Sequence, residues 1–141
     1  MNTLIKIVCL VIFNVGFSFG QTENIHDVTV NISNLKSDNG NVYISIYNSE
    51  TSFLNQGFKA ALSKIENNSC TIIFEDIPNG IYAISFFHDE NENKKMDSNF
   101  LGIPKEDYGC SNNSKGFMGP PKWEDAKFEI NNKSITQNIK L

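Results

Sequence analysis

An all-β fold, two layers of about seven short strands closed over one hydrophobic core, is the architecture this sequence predicts. Two observations carry the expectation. Apolar side chains recur with a period of two, and residues that tolerate tight turns separate the alternating runs at regular spacing. Together they read as a β-sandwich of the immunoglobulin-like kind.

The first residues stand apart from that pattern. Met1 to Lys6 carries one positive charge, Ile7 to Phe19 is mostly apolar, and Ser18-Phe19-Gly20 places small residues where a signal peptidase reads them. Residues 1–20 are therefore expected to be a signal peptide, leaving residues 21–141 as a single β-sandwich domain. The apolar run is shorter than the roughly 20 residues a membrane span requires, so no span is expected after cleavage. Export by the general secretory pathway, to the periplasm or the extracellular space, follows. The chain has 12 basic and 16 acidic residues, a formal charge of −4 and no arginine, and loses one more lysine with the leader. Without a basic cluster, nucleic acid and anionic membrane surfaces have nothing to hold.

The strands follow in order. Val28, Val30 and Ile32 alternate with Thr29, Asn31 and Ser33. Val42, Ile44 and Ile46 alternate with Tyr43, Ser45 and Tyr47. Ser49 to Phe58 has room for a helical turn whose Phe53, Leu54 and Phe58 cover one end of the core. A less regular strand is expected over 60–65. Cys70, Ile72 and Phe74 share one face of the next, and 81–88 is apolar on both faces, as a central strand is. Phe128 and Ile130, then Ile135, Ile139 and Leu141, line the last two. Asp38-Asn39-Gly40-Asn41, Pro78-Asn79-Gly80 and Asn131-Asn132 supply the turns.

Residues 89–123 break the rhythm. This long loop is studded with Met96, Phe100, Leu101, Tyr108, Phe117 and Trp123, and stiffened by glycines and prolines. A loop of this length in a compact domain is functional or disordered, and its composition argues for order. Two staples are available. Asp89, Asn91, Asn93 and Asp97 fall at positions 1, 3, 5 and 9 of a calcium-loop register, with Lys95 at position 7, where the backbone carbonyl is the ligand. Alternate hard oxygens on one turn suit Ca²⁺. Position 6 is Lys94 instead of glycine and position 12 is Phe100 instead of an acid, a vacancy open to Glu90, Glu92, Glu106 or Asp107. The bland alternative is a hydrated acidic turn held by its own Asn and Asp side chains. The second staple is a disulfide between Cys70 and Cys110, in an oxidising compartment. Its alternative is two separate buried thiols, since Cys70 lies within an apolar strand pattern.

Catalytic signals are thin. His88 has only His26 as a second histidine, and neither Ser111 nor Ser114 sits in a nucleophile elbow. A small hydrolase with its site on the 88–123 loop, using His88, Asp89 or Glu106, is the rival to a non-enzymatic binding or scaffolding module with a protein or carbohydrate ligand. Trp123, Tyr108 and Phe117 read either as an aromatic platform or, preferably, as a small core beneath the loop.

Several segments form an ordered series: Pro78-Asn79-Gly80-Ile81-Tyr82-Ala83, His88-Asp89-Glu90-Asn91-Glu92-Asn93 with Asp97, Gly102-Ile103-Pro104-Lys105-Glu106, and Tyr108-Gly109-Cys110-Ser111-Asn112. The series resembles the bacterial exported family catalogued as domain of unknown function 2141. That resemblance implies export and a sandwich similar to prealbumin-like and peptidase-associated modules, and it implies no activity. Lys94 and Cys110 depart from the family's pattern, where glycine and an aromatic are usual. A disulfide through Cys110 would thus be particular to this chain.

Overall fold

The computed structural model describes residues 24–141; the expected signal peptide and Gln21 lie outside the described residues. Strands run over Ile25–Ser33 (β1), Asn41–Tyr47 (β2), Lys59–Ser63 (β3), Ser69–Pro78 (β4), Gly80–Asp89 (β5), Tyr108–Cys110 (β6), Phe128–Ile130 (β7) and Ile135–Lys140 (β8). One helical turn, Trp123–Ala126 (α1), precedes β7, and a 3₁₀ turn, Ser111–Asn113, follows β6. Among the described residues, no helix is long and apolar enough to cross a membrane.

These strands form two sheets, as the alternation predicts. One has the order β4-β1-β8, with β1 and β8 parallel; the other has β3-β2-β5-β6, with β7 pairing the opening residues of β5. The inward positions of both sheets meet. Val28, Val30 and Ile32 of β1 pack with Ile72 and Phe74 of β4, Val42, Ile44 and Ile46 of β2, and Ile84 and Phe86 of β5. Each fully buried side chain of this kind contributes about 1.5–3 kcal/mol relative to exposure. The predicted faces of these runs therefore coincide with the buried ones.

Three expectations need correction. The loop over 89–123 is interrupted by β6, which lies against β5 through Ser85–Cys110, Phe86–Gly109 and Phe87–Tyr108. A three-residue strand containing glycine gives too short a run for periodicity to register. In the 49–58 segment, backbone bonds from Phe53 N to Ser49 O and from Gln56 N to Ser52 O close the expected helical turn, and the correction lies in what that turn covers. Only Phe53 packs inward, whereas Leu54 and Phe58 are exposed.

The third correction concerns the bridge. Cys70 and Cys110 are free and buried. Cys70 belongs to the core between the sheets, opposite Ile32. Cys110 belongs to a second cluster with Tyr47, Ala83, Trp123 and Ala126, on the far side of the five-stranded sheet. Two thiols with a sheet between them cannot approach to disulfide distance without moving whole strands. Burial pushes the Cys110 thiol up to about 12, and burial likewise raises that of Cys70. Residues 21–141 are thus expected to yield two reactive thiols in denaturant and almost none in buffer, with a melting point unmoved by reductant. A mass 2 Da low, restored by reduction, would overturn that expectation.

Candidate functional site

The outward face of the five-stranded sheet is where side chains converge. On most half-solvated sheets such positions are polar. Here Leu62, Tyr43, Phe87 and Tyr108 form one row across β3, β2, β5 and β6, and Ala60, Ser45, Ser85 and Cys110 form the next. The Tyr43 and Phe87 rings stack at 5.3 Å and 9°. Residues 96–104 and 116–121 rise on either side and enclose a cleft of about 1040 Å3 above these rows. Among the described residues, no charged one lines it. Its polar groups are mainly hydroxyls, with Tyr47 Oη and Ser85 Oγ bonded at 3.0 Å. Next to the lining residue Tyr47, Phe53 stands edge-on to its ring (5.4 Å), and Trp123 stands edge-on to Phe53 (5.7 Å).

The calcium-register residues lie at the start of one wall. Asp89, the last residue of β5, is fully buried. Its Oδ1 accepts from Asn93 N (3.2 Å) and its Oδ2 from Lys94 N (2.8 Å). Asn91 Oδ1 accepts from Asn93 N (3.2 Å), and Asn93 Oδ1 from Lys95 N (2.9 Å). These side-chain turns curl the segment so that the Asn91 and Asn93 amides reach Asp97 at 2.6 and 2.9 Å. Hydrogen bonds from Asn93 and Asn91 hold the Asp97 carboxyl below its ordinary value of 3.8. Lys94 departs from glycine in residue type but not in conformation: its φ is 65°, the left-handed turn that position 6 requires.

Four acids were candidates for the vacant ligand position, and the fold separates them. Glu106 accepts from Asp97 N at 2.9 Å and adjoins the loop. Asp107 pairs with Lys36 at 2.7 Å, Glu92 accepts from Asn41, and Glu90 accepts from Ser37. Among the described residues no three His, Cys, Asp or Glu side chains form a metal-binding group. Two carboxylates alone do not make a calcium site, so amide and backbone oxygens must complete it. Asn91 and Asn93 fit that need, since each side-chain oxygen accepts one backbone N–H and has a second lone pair.

The catalytic candidates scatter. His88 is fully buried and points between the sheets. Its Nε2 lies 2.7 Å from the Asn39 carbonyl, which only accepts, so that nitrogen carries the proton. Among the described residues its Nδ1 has no hydrogen-bond partner, with Glu90 at 3.8 Å. Ser111 Oγ is buried, bonding the Ala126 carbonyl (2.5 Å) and Ile84 N (2.9 Å), and thereby ties α1 to β5. His88, Asp89 and Glu106 do not line the cleft. The aromatic group divides as well: Trp123 is core, Phe117 is 91 % exposed, and Tyr108 joins the cleft.

Sequence reasoning missed the cleft. Its signal lay in the outward positions of two strands, Tyr43, Tyr47 and Phe87, which are aromatic where charged residues are usual. No curated protein and no solved structure matches the chain. Residues 30–138 match the family described as "uncharacterized protein conserved in bacteria" (DUF2141), which spans both sheets, the Asp/Asn loop and the cleft, and the chain belongs to that family.

Proposed function

We propose that the mature chain is an exported, non-enzymatic binding module. In this reading its Asp/Asn loop takes Ca²⁺ through Asp89, Asn91, Asn93, the Lys95 carbonyl and Asp97, and the outer cleft is its binding surface. The carrying observation is Asp89, a fully buried carboxylate that, among the described residues, no lysine or histidine pairs with. A carboxylate taken out of water needs a positive partner as well as backbone N–H groups. The same turn carries Met96, which lines the cleft, so an ion there would brace one wall. Export rests on the leader-like residues 1–20.

Melting curves of residues 21–141 with calcium and with chelator test the ion. For an affinity of about 10 μM, about 1 mM calcium adds ~2.7 kcal/mol, or roughly 10 °C. Asp97→Asn, at a half-buried loop position whose carboxylate accepts from the Asn91 and Asn93 amides, is expected to remove most of that shift and to lower the chelator curve by less than the shift itself. Superimposable curves with and without calcium, and no heat on titration, would end the calcium reading.

A further inference from the structure

We propose that the outer cleft binds an uncharged, largely hydrocarbon small molecule carrying one hydrogen-bonding group. This rests on reading the cleft as the binding surface, and it does not depend on the cation. Size comes first. About 1040 Å3 lies just above the usual span of small-molecule sites, which run about 300–1,000 Å3 and are mostly apolar.

Charge comes second. The chain is 20 % charged, yet among the described residues no charged one lines the cleft. A carboxylate or phosphate would enter an acidic protein, lose its water and find no cation. Backbone saturation comes third and bears on peptides. The central floor strands, β2 and β5, are each paired on both sides. An extended peptide lying over the middle of this floor, away from the edge strands β3 and β6, would find no free strand edge for its amides, each costly to bury unpaired. A molecule with few polar groups avoids that penalty.

The rim supports the same occupant. Leu101 and Ile103 on one wall and Met118 on the other are 68, 56 and 95 % exposed. Apolar side chains held open on both lips of a concave apolar site mark a binding surface. The Tyr47–Ser85 hydroxyl pair, beside Ser45, supplies the single polar anchor.

The test uses residues 21–141 and the neutral fluorophore N-phenyl-1-naphthylamine, in calcium and in chelator. Saturable enhancement at one dye per chain is expected, displaced by 1-decanol or 2-naphthol at least about tenfold better than by decanoate. Displacement by either alcohol supports the proposal, and the better of the two identifies an acyl-like or a ring-bearing ligand. Ala60→Trp, on the exposed end of the floor, and Met118→Asp, on the rim, are each expected to weaken the dye about tenfold or more without lowering Tm. Absence of saturable binding, decanoate competing equally, dye affinity unchanged in both variants, or a dimer that excludes the dye would each overturn the proposal. Because the calcium shift is read without dye, failure of one reading is distinguishable from failure of the other.

Discussion

Replacing Trp123 with alanine is expected to destabilise the domain by about 3–5 kcal/mol, the range for deleting a large buried aromatic. The ring is only 9 % exposed and closes the second cluster against Phe53, Tyr47, Ala83 and Cys110. Its helical turn is anchored by Ser111 Oγ on the Ala126 carbonyl, so the cap cannot easily collapse into the void. Urea denaturation would measure the loss, with Trp123→Phe expected to lose much less because it refills part of the volume. A loss for Trp123→Ala well below 1 kcal/mol would show that this cap is not part of the cooperative core.

Gly40→Ala should be nearly as damaging, at about 2–5 kcal/mol. Gly40 sits at φ +72°, and a Cβ there would lie 1.9 Å from the Asp89 carbonyl oxygen and 2.8 Å from Glu90 Cα. Left-handed backbone costs an L residue about 1–2 kcal/mol, and forced backbone shifts in packed regions cost about 1–3 more. The atoms displaced begin the Asp/Asn loop, so the variant should also lose any calcium-dependent gain in Tm. Stability within about 0.5 kcal/mol of the parent, by urea denaturation, would refute this close packing.

The thiol, calcium and dye experiments probe regions that differ sharply in how far they could be read beforehand. The Asp89 to Asp97 spacing was visible because alternate polar residues on a tight turn converge through local bonds. The Asn91 to Asn93 and Asn93 to Lys95 turns are such bonds. Glu106 was visible only as one of four candidates, because its approach to Asp97 depends on the path of residues 98–105. That path is set by Asn99, whose Oδ1 accepts from Leu101 N and Ile103 N. The loop is therefore held by its own asparagine as well as by its ends, and no disulfide contributes.

Alternation within β1, β2, β4 and β5 was enough to name the core residues and the turns between strands, because side-chain direction along a strand is a local property of the backbone. Which sheet each strand joins is not local. Pairing of β4 with β1 set Cys70 opposite Ile32 in the core, and pairing of β6 with β5 across the loop set Cys110 beyond the five-stranded sheet, so the two thiols face opposite sides of it. The same pairing aligned Tyr43, Phe87 and Tyr108 into one row and raised a cleft above them. Period-two patterning assigns each residue a face, but only long-range strand pairing determines what that face meets.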